Sequence, residues 1–489
     1  MRWVTALLMG QALAFAQPDA LAVKSQRGKQ LMAEGRFAEA IPVYEELVRA
    51  VPGNPGLLLN LGLAEQMAGR PREAIPHFAA AVKLDPRMFP AWLSMGACYM
   101  DLGEPARAVA PLEKAAALDR ANPGPRYVLG DALTALRRPG EAARNFRELA
   151  RLQPEDPKVW YKLGRAYEAL SQRAFEQLDK SAQGSAWWLA LVAGTRASEG
   201  RNRAAFALYR EALAKMPALR GAHAAIADIY RKTNHPDWAA VEDKREQALA
   251  PPDCAAAKLE CAFRGGRFLE AARGTQPASA ESLHWQTRAY NALAAQAFAR
   301  LSQLAPSAEL YSLKAQIENG RNRPREAAEA YREALKLAPG DADLELGLAA
   351  ALGKARDYKS AAQIVERLIK RAPDSPLLNF LYGDSLLMQS QPEPAVPYLE
   401  RAVRLEPENL QARASLGLAL ARAGKPESAI PHLEKALAAD SDGSLHYQLA
   451  AAYRASGRGE LARQALEKYQ SLQKGADSVD SGDSAITPP

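Results

Sequence analysis

Residue types return at a spacing of 34 along most of this chain, and that recurrence leaves it few folds. Counting Pro55 as position 1, apolar residues fall at Leu58 and Leu61 and a small one at Gly62. Gly69, Ala74, Phe78, Ala81 and Pro86 follow. Units begun at Leu21, Phe89 and Pro123 repeat the scheme, with Gly28, Gly96 and Gly130 at the small position and Ala40, Ala108 and Ala142 at position 20. Apolar residues three and four apart share one face of a helix. A glycine on that face admits a second helix closely, and the large residue at position 24 fills the space beside it. Gly69 can take the positive φ that ends the first helix, and Pro86 cannot continue the second. Each unit is therefore expected to be two antiparallel helices that bury their apolar faces by stacking on their neighbours.

A fifth unit opens with Trp160, Leu163, Gly164 and Tyr167, but its continuation from Gln172 to Ser185 departs from the pattern. The register resumes at Ala186 and Arg220, breaks from Cys254 to Ser307, and runs cleanly from Ala308. There Ala315, Ala349, Gly383 and Gly417 stand at position 8. A last unit, shifted by one, carries Leu449, Ala450, Tyr453 and Ala462. With these residues in phase, the chain resembles tetratricopeptide repeat proteins of the exported bacterial type. That resemblance implies an all-α fold, an α-solenoid: a right-handed superhelix of about a dozen helix-turn-helix repeats with two irregular interruptions.

The N-terminus adds a different signal. Arg2 precedes an apolar run, Val4 to Ala16, that ends Ala14-Phe15-Ala16. Such a run is too short for the ~20 residues a bilayer needs and has the parts of a secretory signal peptide. The expected division is a signal peptide at 1–16, an N-terminal repeat array at 17–253 (irregular at 171–185), an irregular helical segment at 254–307, a C-terminal array at 308–474 and a disordered tail at 475–489. A periplasmic or secreted protein follows, with no membrane span after cleavage.

Charge and chemistry narrow the function classes. The net charge of +7 is small for 489 residues and forms no contiguous basic run, so nucleic acid is not an expected partner. Cys98, Cys254 and Cys261 include no CxxC pair. On one helix, Cys254 and Cys261 would lie about 10 Å apart at Cα, beyond the ~7 Å reach of a disulfide. Buried small hydrophobes are the simpler reading; a bridge across the irregular segment is the other. There is no phosphate-binding glycine loop, HExxH or GxSxG, and the six histidines are scattered, His77 and His432 at helix-surface positions. The stretch 254–307 is smaller than an ordinary domain of about 100 residues. No catalytic, cofactor or metal site is expected, and the chain is read as not an enzyme.

The resemblance also says where binding would occur. In similar proteins the first helices line a concave groove, with positions 2, 5, 6, 9, 12 and 13 facing in. Those positions give Asn60 in the second unit, Tyr127 and Asp131 in the fourth, and Tyr161, Lys162 and Arg165 in the fifth. Phe380, Asp384 and Tyr447 stand at groove positions further on. Aromatic and basic groups converge at the fourth and fifth units, which suits an extended peptide with an acidic group. The carboxylate clamp of some chaperone-tail receptors is not met, since only Asn60 fits and Ser25 and Pro90 replace its basic residues. The expected function is a protein-interaction scaffold of the cell envelope that binds proteins or extended peptides in the groove. The alternative is a substrate-binding or enzyme-associated module holding a peptide or glycan.

Overall fold

The computed structural model describes residues 20–275, 278–440, 442–480 (side chains to 473) and 486–489. Among them every regular element is helical and no strand occurs. The signal peptide expected at 1–16 lies outside the described residues.

One repeat shows how the residues make the elements. Asn54 accepts from the N–H groups of Gly56 and Leu57 and so caps the helix Pro55–Met67, whose first residue is a proline that has no N–H to satisfy. Gly69, at φ 77°, turns the chain into the helix Pro71–Leu84. Ala74, Phe78 and Ala81 of that helix are fully buried. A Cβ on Gly62 would lie 2.7 Å from the Phe78 ring, and one on Gly96 or Gly130 would meet Leu112 at 2.5 Å or Phe146 at 2.3 Å. The same seats recur at Gly383 with Leu399 and Gly417 with Leu433. In these repeats glycine at position 8 is thus a steric requirement of the helix contact, whereas others seat Ala315 or Ala349 there.

The chain divides into two compact units, each discontinuous in sequence, which is not the linear partition expected from the repeats. Met1–Ser181 joins Pro252–Gln303, and Ala182–Pro251 joins Leu304–Pro489. The reason in the first unit is the fifth repeat. Its first helix does not become irregular at 171; it runs unbroken from Pro157 to Ala182. The second helix of the pair is supplied by Ala280–Gln303, from inside the segment expected to be irregular. A Cβ on Gly164 would stand 2.3 Å from Phe298, Tyr167 stacks on Tyr290 at 6.3 Å between ring centroids, and Ser171 donates to the Thr287 carbonyl at 3.1 Å. Numbers rise on one helix as they fall on the other, so the pair is antiparallel, as in an ordinary repeat. Two repeats, Ala186–Lys215 and Ala222–Ala248, are inserted between its halves.

The short helices Lys258–Arg264 and Phe268–Ala271 pack Ala262, Ala271 and Ala272 into the core that the fourth and fifth repeats share. Ahead of them, Cys254 and Cys261 form a disulfide with Cα atoms 5.6 Å apart. The spacing argument against a bridge fails because Cys254 precedes the helix that begins at Lys258. Reducing the bridge, or replacing both cysteines by serine, should destabilise this segment by about 2 kcal/mol, as expected for a short covalent loop. Limited proteolysis reads it: cleavage between 252 and 275 should accelerate in the double variant and leave the first four repeats intact. Cys98 is fully buried, and burial pushes its thiol up to about 12, so it is not a reactive thiol.

His77 is half-buried rather than on the surface. Its Nδ1 lies 2.7 Å from a carboxylate oxygen of buried Glu65, and that hydrogen bond raises the imidazole's pKa. The stability it adds is complete below about pH 6.5 and is lost as pH rises through the raised value.

In the second unit the run Ala308–Ala436 and the closing pair Ser444–Ala455 and Gly459–Asp480 follow the ordinary scheme. The last helix extends through residues 475–480, where disorder is expected from composition, and residues 486–489 lie against the inserted repeats of the same unit. Polar sequence there hides an apolar anchor, Ile486.

Candidate functional site

The helices Gly124–Ala135 and Pro157–Ala182 are the first helices of the fourth and fifth repeats, and a cleft of about 860 Å³ opens along them. Asp131, Tyr161, Lys162 and Arg165 all line it. Helical spacing puts Tyr161 and Arg165 one turn apart on the same face. Lys162 reaches across to the neighbouring repeat and donates to Asp131 at 2.5 Å, with both side chains partly open to solvent. Arg165 pairs with Glu168 on its own helix and stays half-exposed. Exposed pairs of this kind hold little energy and are readily exchanged for a ligand's carboxylate.

Two expected residues are not brought to this cleft. The Tyr127 hydroxyl donates to Asp156 in the turn before the fifth repeat, which fixes one repeat on the next. Asn60 lies in the second repeat and does not line the cleft. Other lining residues escape sequence reasoning. Gln172, Arg173 and Glu176 extend the wall by about three turns beyond Arg165, and they are hidden because the repeat pattern stops at 171 while the helix does not. Thr134 sits at position 12 of the fourth repeat, a groove position by the repeat's own register.

Arg137 also lines the cleft, and its backbone is unusual. It occupies position 15, the turn taken by Gly35, Gly69 and Gly103 in earlier repeats, at φ 53°. The left-handed conformation costs a non-glycine residue roughly 1–2 kcal/mol. Arg137→Gly should therefore raise stability by ~1 kcal/mol while weakening capture of acidic ligands. Thermal melting with a binding titration checks both; a lower melting temperature would count against the account. The cleft's charged groups are Arg137, Lys162, Arg165 and Arg173 against Asp131 and Glu176, a net positive wall, with Glu176 accepting from Gln172 at 3.0 Å. Nothing in the arrangement pairs a nucleophile with a base. Its excess of basic groups is complementary to anions, and among the described residues no cluster of His, Cys, Asp or Glu could hold a metal.

In the second unit Phe380 and Asp384 line a smaller cleft of about 320 Å³. Burial raises the pKa of Asp384, opposed by the Ser415 hydroxyl that donates to it at 2.8 Å. Tyr447, half-exposed, packs on Tyr469 of the closing helix, 5.5 Å between centroids.

A tetratricopeptide repeat model matches residues 25–71, 59–124, 127–182, 383–444 and 415–478, and a second one matches 320–381. Comparison with curated proteins finds no match. Solved structures similar to parts of the chain include MamA, residue 41 to the end, from Desulfovibrio magneticus RS-1. It is 25% identical with a TM-score of 0.32, over 36% of this chain and 99% of that one. YrrB, described as a TPR protein with an unusual peptide-binding site, is 25% identical with a TM-score of 0.29, over 34% and 85%. The repeat matches span more than half the chain, on helix pairs whose glycine seats and turns have the required geometry: this protein belongs to the tetratricopeptide repeat family.

Proposed function

We propose that this protein is a non-enzymatic scaffold of the cell envelope that grips an extended acidic segment of a partner protein in the cleft of the fourth and fifth repeats. The observation that carries the reading is the convergence of Tyr161, Arg165, Arg173 and Arg137 on one open wall next to the exchangeable Lys162–Asp131 pair. Arginine offers planar, charge-assisted bonds to carboxylates, and tyrosine adds contact area at low entropic cost. Tetratricopeptide repeats are protein-interaction modules, which supports the partner class. The envelope location rests on the apolar run at 4–16, and the Cys254–Cys261 bridge supports an oxidising compartment. No described helix is long and apolar enough to cross a membrane.

Affinity capture from envelope extract tests the reading, with the wild type beside a Tyr161→Ala/Arg165→Glu double variant and an Asp/Glu-rich peptide as competitor. The double variant should lose partners that the peptide displaces from the wild type. Equal recovery by both proteins would move the binding surface elsewhere. A retained glycan in place of a protein would favour a carbohydrate-binding module.

A further inference from the structure

The two inserted repeats form their own apolar cluster. Phe206, Tyr209, Ile226 and Tyr230 are buried in it, and Trp187, Trp188 and Trp238 pack at its margin. The rings of Phe206 and Trp238 flank Tyr230 at 5.6 and 5.5 Å between centroids. Tyr230 is fully buried, so its hydroxyl needs a partner, and the one it has comes from the far end of the sequence: it donates to the Thr487 carbonyl at 2.6 Å. Ile486 packs against the same cluster.

The pattern of burial along this segment is informative. Ile486 and Pro489 are half-buried, whereas Thr487 and Pro488 are exposed. A spacing of three on one face fits polyproline II, which has three residues per turn and which Pro488-Pro489 favours. Recognition through a backbone carbonyl, an apolar anchor and a preformed extended helix is how groove-binding domains hold proline-rich peptides. Burial raises the Tyr230 pKa, which keeps the hydroxyl protonated and able to donate.

We propose that the inserted repeats, Ala186–Ala248, are a second peptide-binding module, for an extended segment that carries an apolar residue and a proline three positions on, and that the chain's own residues 486–489 occupy it as a displaceable ligand. Five residues of sequence separate Asp480, where the last helix ends, from Ile486. Held so, the segment competes at millimolar effective concentration with any partner segment of the same chemistry. The site is in the second unit and does not involve the cleft of the fourth and fifth repeats.

The test uses a fluorescein-labelled peptide of residues 478–489 and fluorescence anisotropy. A chain ending at Asp480 should bind it saturably, and the full chain at least ~10-fold more weakly because the site is already filled. Tyr230→Phe keeps the ring packing but removes the donor; in the shortened chain it should weaken peptide binding about fivefold at unchanged melting temperature. Arg165→Glu should leave peptide binding unaltered. The proposal is overturned if the shortened chain does not bind, if full and shortened chains bind equally, or if Tyr230→Phe binds as the parent does. Concentration-dependent dimers of the full chain that are lost on shortening would also overturn it, by placing the segment in a second copy.

Discussion

Gly164→Leu should destabilise the first unit by about 1–3 kcal/mol and should do so through a segment remote in sequence. The cause is steric. A Cβ at this position would already lie 2.3 Å from Cε1 and 2.6 Å from Cζ of Phe298, and a rigid ring cannot fold aside as a lysine chain would. Leucine must expel the ring, and with it the helix Ala280–Gln303, from the first helix of the fifth repeat. Hydrogen exchange is the measurement: protection should fall in 280–303 and in 157–182 together, while Pro55–Leu84 is unaffected. Faster exchange in 172–185 alone, with 280–303 unchanged, would show that the fifth repeat is closed locally and that the discontinuous pairing is wrong. Gly130→Leu makes a useful control. It meets Phe146 at the same 2.3 Å within one continuous repeat, so its effect should stay local to the fourth repeat.

Tyr161→Ala/Arg165→Glu should weaken binding of an acidic partner segment by roughly 10²- to 10³-fold, taking ~2 kcal/mol for each central anchor lost. Neither side chain is core, so helicity and melting should not move. Part of the loss is repulsion, since the introduced carboxylate would face the ligand's own. The wild-type interaction should weaken steeply with salt, because the arginines concerned are open to solvent and screened by it. An affinity independent of ionic strength, or retained in the double variant, would refute the acidic-ligand reading even if a partner is captured.

The repeats themselves are legible in the sequence because each depends only on local spacing. Leu58, Leu61 and Gly62 define one face, Gly69 a turn and Phe78 the filler, and all act within one unit of the array. That Asp131, Tyr161, Lys162 and Arg165 line one cleft follows from the same register, since positions 5, 6 and 9 of a first helix are fixed by helical geometry. Tyr127 is not brought to that cleft; its hydroxyl goes to Asp156, a contact from a helix to the turn before the next repeat that no spacing reveals. Arg173 and Glu176 are hidden by a break in the repeat pattern that is not a break in the helix.

Which segments pair is settled in three dimensions. Gly164 announces that a bulky side chain must cover it, but any Leu, Phe or Tyr at the right offset would serve, and the sequence alone favours the nearest one. Phe298 takes the place because two whole repeats can be inserted between the halves of a pair without disturbing either face, each repeat needing only its immediate neighbours. The seat of Ile486 on the inserted repeats has the same character. The sequence determined the unit and its groove face; the order in which units meet was set by contacts between residues far apart in the chain.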